Sequence, residues 1–244
     1  MGSSTLLQLG PTFWLALAAL LAVAATVSRV VLGLAVRETL LAGARALAQL
    51  MLVALLISQL GRSAVWAGAF LLLMLGVATV TVRRRVPGCS WFGAALPLVL
   101  GVLPPVGLLL VAGVLPVEPL ALIAVVGQLI GGSMAAANLS GRRFVAELDQ
   151  RRGEVEAALA VGMTPASARN LVLRPVAPEA MLPGVDQAKT AGTITLPGAF
   201  VGLILGGASP LDAGLIQVMV LISLMATQAV AISSVLWWSC TRRA

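Results

Sequence analysis

Long apolar stretches separated by short polar segments dominate the sequence. A helix needs about 20 residues to cross the roughly 30 Å hydrocarbon layer of a bilayer, and most of these stretches reach that length. The pattern therefore predicts an all-α protein, a polytopic membrane bundle of about seven transmembrane helices. The predicted spans are residues 11–28, 44–60, 65–82, 93–114, 119–139, 188–207 and 211–238.

The one long polar segment, residues 142–187, is predicted to be folded. Apolar residues follow a helical spacing at positions 144, 148, 155 and 159. Gly162 is placed to end this helix, and Thr164 followed by Pro165 has the signature of a capping residue and a first helical residue. Pro175 would end the second helix. The segment is thus predicted to be a helix, a glycine turn and a short amphipathic helix.

Basic residues are concentrated in one set of loops. Arginines lie between spans one and two, three and four, and five and six, and in the tail, whereas Arg62 is the basic residue of the opposite loops. Positively charged loops stay in the cytoplasm, so the N-terminus is predicted outside and the C-terminus inside. This distribution accounts for the net charge of +7, and no nucleic-acid partner is expected.

Composition excludes several kinds of chemistry. The chain is 59% hydrophobic and 10% charged, so membrane lipid must surround most of it. It contains no histidine and no tyrosine, which excludes Ser-His-Asp catalysis and any His-ligated metal. No GxxxxGK[ST] phosphate loop is present. ATP hydrolysis would therefore need a separate subunit, which would bind the ATP and Mg²⁺, and no cofactor is expected in this chain.

Prolines interrupt two predicted spans. Pro104 and Pro105 are predicted to break the fourth, and Pro197 lies inside the sixth. Such breaks are tolerated where neighbouring helices or a water-lined cavity satisfy the freed backbone groups. A simple packing kink is an equal alternative for Pro104 and Pro105, whereas the polar neighbours of Pro197 favour a functional role.

The polar segment resembles the cytoplasmic signature of ABC importer permeases. Glu156-Ala157-Ala158 is followed three residues later by Gly162, Val172 lies at the aliphatic position and Pro175 at the final proline. Arg174 stands where that signature has leucine. The resemblance implies a coupling helix that docks into a groove of an ATPase subunit. On this basis Glu156, Ala157, Ala158, Gly162, Thr164, Pro165 and Pro175 are the candidate coupling residues.

The following stretch, residues 182–220, resembles the FetB-type permease family, short ABC membrane subunits that include bacterial iron exporters and plant aluminium-tolerance half-transporters. Residues 43–50, GARALAQL, and 127–139, GQLIGGSMAAANL, resemble two further elements of that family. The matching positions of 182–220 are Pro183, Asp186, Lys189, Thr190, Gly192, Leu196, Pro197, Gly198, Gly202, Ile204, Gly207, Pro210, Ala213 and Gln217.

The resemblance implies that residues 1–244 form a single permease domain in the bacterial cytoplasmic membrane. The expected function is export of iron or a related metal or metabolite, by a homodimer of the chain with an ABC ATPase. An importer permease is the alternative in the same class. An intramembrane enzyme or a structural scaffold is less well supported, because only Asp186 and Lys189 approach a catalytic pair.

Candidate residues for a translocation pathway are the polar or helix-breaking residues of the spans. Ionisable residues at membrane depth are costly and mark functional elements or structural ion pairs, and both roles are open for Asp186 and Lys189. Some of the amides are expected to be hydrogen-bond links between helices. No metal ligands are predicted. The candidates are Gln49, Asn138, Asp186, Lys189, Pro197 and Gln217.

Overall fold

The computed structural model describes residues 10–61 and 63–241, and in these ranges it is built of helices and their connections. The all-α prediction is confirmed. The helices are α1 Pro11–Val30, α2 Val36–Leu60, α3 Ala64–Arg85, α4 Trp91–Val111, α5 Pro119–Gln150, α6 Arg152–Ala160, α7 Pro165–Leu173, a 3₁₀-helix Ala177–Met181, α8 Leu182–Thr190, α9 Gly198–Leu205 and α10 Pro210–Thr241.

Within the described ranges, six helices are long and apolar enough to cross a membrane, namely α1 to α5 and α10. α5 and α10 have 32 residues each, which corresponds to about 48 Å at roughly 1.5 Å per residue. This exceeds the hydrocarbon layer. α5 therefore continues well beyond the predicted end of the fifth span at residue 139, into the polar segment.

The chain forms two compact units, one up to residue 59 and one from residue 60 onward. The N-terminal unit contains α1 and nearly all of α2. These helices meet where the side chain of Leu21 packs over Gly43, so that a Cβ at position 43 would require Leu21 to shift. Ala25 is buried, whereas most other apolar side chains of this unit are exposed, as expected for helices that lie against lipid or other protein.

In the C-terminal unit, α3, α4, α5 and α10 pack around a common apolar core. Leu98 of α4, Leu129 and Phe144 of α5 and Ala231 of α10 are fully or almost fully buried in it. Small residues allow the helix backbones to approach closely, the usual packing mode between membrane helices. At Gly101 of α4, an added Cβ would lie 3.0 Å from a backbone oxygen of α10.

α4 is continuous despite its prolines. Pro97, Pro104 and Pro105 all lie inside the helix, so the predicted break at Pro104 and Pro105 is wrong. Each proline removes one backbone hydrogen bond, but helix neighbours compensate for such losses in a membrane bundle. Here α4 packs against α3, α5 and α10. A separate hydrogen bond links α5 to α4, since the hydroxyl of Ser133 donates to the carbonyl oxygen of Pro97 at 3.0 Å.

The predicted sixth span, residues 188–207, is not one continuous helix. α8 ends at Thr190 and α9 begins at Gly198. In the loop between them, Gly192 has a φ of +81°, a left-handed conformation that favours glycine. Pro197 then precedes the first residue of α9, where proline cannot extend a helix backwards. These two residues explain the interruption.

The broken segment 182–205 nevertheless crosses from one end of the unit to the other. Leu148 near the end of α5, Arg169 of α7 and Trp238 near the end of α10 line one cavity of about 290 Å³. α5 and α10 therefore end on the same side, called here the loop end. Two parallel helices require the chain to return between them, and the broken segment 182–205 provides this return. The total of seven spans remains a prediction, since six helices of the described ranges meet the length and apolarity of a span.

Membrane orientation is not fixed by the fold alone. α3 also ends at the loop end, since Val82 and Val86 line the same cavity, and its last turn carries three arginines. The positive-inside rule places such an end in the cytoplasm. Arg62, Arg242 and Arg243, which contribute to the predicted orientation, lie outside the described residues. The orientation and the single-domain assignment remain predictions.

Candidate functional sites

The turn between α6 and α7 has the predicted glycine conformation. Gly162 adopts a φ of +89° directly after α6. The N–H of Gly162 donates to the carbonyl of Leu159 at 3.0 Å, and the N–H of Met163 donates to the carbonyl of Ala158 at 3.1 Å. These bonds satisfy the last carbonyls of the helix, the usual function of a C-terminal glycine. The predicted glycine turn is confirmed.

α7 begins and ends at the predicted residues. The Oγ1 of Thr164 accepts a hydrogen bond from the backbone N–H of Ser167 at 3.2 Å. Pro165 is the first residue of the helix, where its missing N–H has no cost. The helix ends at Leu173, two residues before Pro175. α7 is thus a helix of nine residues with a side-chain cap at its N-terminal end.

α7 is anchored to the bundle, whereas α6 is more exposed. Ala168, Val172 and Leu173 of α7 are fully buried, and the helix contacts both α5 and α10. α6 contacts α7 and buries Ala158, while Ala157 and Glu156 face outward. The carboxylate of Glu156 accepts a hydrogen bond from Nε of Arg152 at 2.8 Å. The structure therefore makes Ala158 a packing residue and leaves Glu156 and Ala157 accessible.

Ion pairs connect the base of the loop. Glu147 lies 3.6 Å from the guanidinium of Arg151, and Arg143 lies 3.2 Å from Glu179 of the 3₁₀-helix. The hydrogen bond from Arg151 to Glu154 lowers the pKa of Glu154 and raises the pKa of Arg151. Both groups therefore stay charged at neutral pH, and this link is lost only as the pH falls below the ordinary range of a glutamate.

Apolar side chains are exposed at the tip of the loop. Val161, next to Gly162, is 81% exposed, and Leu159 is also exposed. Exposed apolar residues on a rigid polar segment are typical of a surface that binds another protein. Sequence reasoning singled out Glu156 and Gly162 but not Val161. The sequence feature that could have identified Val161 is its position as an apolar residue immediately before the glycine that ends a helix.

The broken crossing brings two of the predicted pathway residues together. Pro197 and Gln217 line one pocket of about 140 Å³ between the α8–α9 loop and α10, with Phe200 beside them. The side-chain oxygen of Gln217 is buried without a hydrogen-bond partner in the described part of the chain. An unpaired buried acceptor beside a cavity is a candidate binding group, since buried polar atoms normally have partners.

The other predicted pathway residues lie elsewhere. Asn138 is buried on α5, and neither of its side-chain polar atoms has a partner among the residues described. Gln49 is exposed on α2. Asp186 and Lys189 are exposed on α8, and neither forms an ion pair within 4.0 Å with a residue that the structure describes. The structure thus groups only Pro197 and Gln217.

Two polar residues of α10 were missed at the sequence level. The side-chain oxygens of Thr227 and Gln228 are buried without partners inside the described ranges. The amide of Gln228 occupies the space where a Cβ at Gly184 of α8 would lie, and it approaches Gly132 of α5. It therefore sits where α5, α8 and α10 meet. The sequence feature that could have identified Gln228 is its position as an isolated amide within a run of apolar residues.

Replacing Asn138 by leucine is expected to raise the stability of the bundle. A buried amide with unpaired atoms costs about 1–3 kcal/mol, and leucine has the same branched shape without that cost. The midpoint of thermal unfolding of the detergent-solubilised protein should therefore increase. Gln128→Leu is the control, because Gln128 is an exposed amide on the same helix, and it should change the midpoint little. A lower midpoint for Asn138→Leu would show that the amide has a partner.

Six helices of the described ranges are long and apolar enough to cross a membrane, and the C-terminal unit carries a folded loop at its loop end, which together define a polytopic α-helical membrane protein. The particular family follows from comparison with known proteins. Residues 12–243 match the uncharacterised protein family UPF0014, and the chain belongs to it. A FetB-named protein is among the related sequences, which confirms the resemblance drawn from the motifs.

Three relatives illustrate the range of the family. The chain is 39% identical over 133 residues to "UPF0014 membrane protein STAR2" of Oryza sativa subsp. japonica, which is 54% of this chain and 47% of the relative. It is 34% identical over 128 residues to "Protein ALUMINUM SENSITIVE 3" of Arabidopsis thaliana, which is 52% and 46% of the two chains. It is 32% identical over 127 residues to "Probable iron export permease protein FetB" of Escherichia coli, which is 50% and 48%.

The chain spans about half the length of these curated relatives. No solved structure matches the chain.

Proposed function

We propose that the chain is the membrane subunit of an ABC transporter that exports iron, or a related metal or metabolite, across the cytoplasmic membrane. The observation that carries the proposal is the α6–α7 loop, a rigid capped unit that presents an exposed apolar tip at Val161. The name of the Escherichia coli relative supports the direction and the substrate. A separate ATPase subunit would bind ATP and Mg²⁺ and dock against this loop.

The anchoring of α7 supports a coupling role. A short amphipathic helix is a common ligand for a groove in a partner protein. Because α7 packs against α5 and α10 with fully buried side chains, a displacement of the loop is passed to both long helices. α10 in turn packs against α8 and α9 of the broken crossing. Movement of an ATPase at the loop end would in this way reach the pocket at Gln217.

The proposed assembly is a homodimer of this chain with two ATPase chains, since one coupling loop per chain represents half of an ABC transporter. Among the described residues, no group of three or more His, Cys, Asp or Glu side chains is placed to hold a metal ion. Iron would then be handled as a chelate, or by groups supplied from both copies. Carboxylates and amides are the hard donors that this chain offers for iron.

The coupling proposal is tested with a pair of proline substitutions. Gly162→Pro forces a residue with φ near −65° into a position at +89°, so it should distort the turn and abolish stimulation of the co-purified ATPase. Gly153→Pro is the matched control, because Gly153 lies in the first turn of α6, where proline is tolerated. Glu156→Ala should weaken stimulation less. Full stimulation in Gly162→Pro would overturn the assignment of the loop.

A further inference from the structure

Asp186 and Lys189 lie deep in the membrane layer. In α5, residues 119–141 carry no charge, and Arg142 and Arg143 mark the loop end. Gly132 is ten residues from Arg142, which corresponds to about 15 Å at roughly 1.5 Å per residue. This distance is about half the thickness of a hydrocarbon layer of roughly 30 Å, which places Gly132 near the middle of the layer.

The contacts of Gln228 show that the start of α8 lies at a similar depth in the membrane. Its amide touches Gly184 and approaches Gly132, so the start of α8 lies near the level of Gly132. Asp186 and Lys189 follow Gly184 along α8, directed away from the loop end. Both charged residues are therefore near the middle of the membrane.

Within the C-terminal unit, these two charges have no ion-pair partner among the described residues. Both side chains are exposed, and neither has an ion-pair partner in the described ranges. An ionisable side chain that faces lipid at this depth costs several kcal/mol, so it must face protein or water instead. The neighbours of α8 on the chain, the 3₁₀-helix and α10, lie on the opposite side of the helix, where Gly184 is buried. The charged face is thus not covered by the other helices of the C-terminal unit.

We propose that a second copy of the chain covers this face, with Asp186 of each protomer paired with Lys189 of the other. In a two-fold interface, a contact from one residue to another is repeated in reverse. When an acid and a base lie three residues apart, the acid of each protomer can therefore face the base of the other across the two-fold axis. The side chain of Lys189 leans towards the N-terminal end of α8, which brings its ammonium to the level of Asp186. The interface places the broken crossing of both copies at the dimer centre.

This inference rests on the homodimer of the proposed function, but not on its ATPase or its substrate. If the ATPase fails to bind, the pairing at α8 can still be tested in the isolated membrane subunit. If the pairing fails while the ATPase is stimulated normally, only the interface is wrong. The two proposals are therefore separable.

The test uses two charge reversals in separately tagged copies. Asp186→Lys gives a protomer with two positive charges at the interface, and Lys189→Asp gives one with two negative charges. Two protomers of the same variant repel each other, whereas the charges of one protomer of each variant are complementary in the mixed dimer. A pair located within one protomer gives no such preference. When the two are co-expressed and extracted in mild detergent, the mixed dimer should be recovered at least about tenfold over either homodimer.

The control pair is Asp149→Lys with Arg152→Asp. These residues have the same spacing and are exposed at the loop end, so their tagged copies should mix at random. Random mixing of the Asp186 and Lys189 variants would overturn the proposal. Expression of each variant in the membrane fraction is measured in the same experiment.

Cysteine cross-linking covers the case in which the charge variants do not insert. In a background of Cys89→Ala and Cys240→Ala, tagged copies with Asp186→Cys and Lys189→Cys should cross-link in native membranes with a short bifunctional thiol reagent. Leu103→Cys on the exposed side of α4 is the control and should not cross-link. Cross-linking at Leu103 in place of α8 would assign the interface to another face and would refute the proposal.

Discussion

Replacing Val161 by aspartate is expected to weaken ATPase binding by at least about thirtyfold. Apolar anchors that fill a pocket on the partner contribute about 2 kcal/mol or more to an interface, and about 1.4 kcal/mol corresponds to a tenfold change in affinity. Aspartate would in addition bring an unpaired charge into a dry groove. Since Val161 is 81% exposed in the free chain, folding of the membrane subunit should be unaffected. The measurement is titration of the ATPase onto the reconstituted subunit.

Val117→Asp is the matched control for this substitution. Val117 is also an exposed valine, at 75%, but it lies before the first residue of α5, at the end of the bundle opposite to the loop. The same change in charge and volume there should leave ATPase affinity unchanged. Equal affinity for Val161→Asp and the unmodified chain would mean that the loop tip is not the docking point. Equal losses for both variants would indicate a general effect of charge.

Replacing Gly101 by alanine is expected to destabilise the bundle by about 1–3 kcal/mol, the usual cost of overpacking a close-packed interior. The new methyl group would lie 2.8 Å from Oγ of Ser133, 3.0 Å from the backbone oxygen of Thr227 and 3.3 Å from Cβ of Ala231. None of these atoms is the end of a long flexible side chain. The strain must therefore separate α4 from α5 and α10, and the midpoint of thermal unfolding should fall.

Gly107→Ala on the same helix serves as the control for Gly101. No atom outside its own helical turn lies within 4 Å of a Cβ built at Gly107. Alanine is also the better helix former, by about 1 kcal/mol. This variant should therefore be as stable as the unmodified chain or slightly more stable. If Gly101→Ala is as stable as Gly107→Ala, α4 and α10 are not in close contact in the folded protein.

The α6–α7 loop was largely predictable because local rules control it. The left-handed glycine at 162, the cap at Thr164 and the first helical proline at 165 act within a few residues along the chain, and all three were confirmed. The exposed tip was not foreseen. Whether Val161 faces solvent or packs against α7 depends on how α6 and α7 contact each other, and chain-local rules do not decide that.

The membrane interior was less predictable, because membrane spans are judged by apolar length. Length and composition do not distinguish a proline that leaves a helix intact, as Pro104 does, from Pro197, which precedes a new helix start. The two prolines differ in the helices that pack around them. α4 is enclosed by three helices, while the α8–α9 segment packs mainly against α10 and has a left-handed glycine to close its loop.

The sequence by itself determined an all-helical membrane protein and the helix–glycine–helix loop, because hydrophobic length and helix capping are encoded locally. Tertiary structure alone decided which polar groups meet. It brought Pro197 to Gln217 and placed Gln228 against Gly184. It also left Asp186 and Lys189 exposed without partners in the described chain. These relations depend on the packing of helices that are far apart in the chain, since only the assembled bundle sets the depth and the facing of each residue.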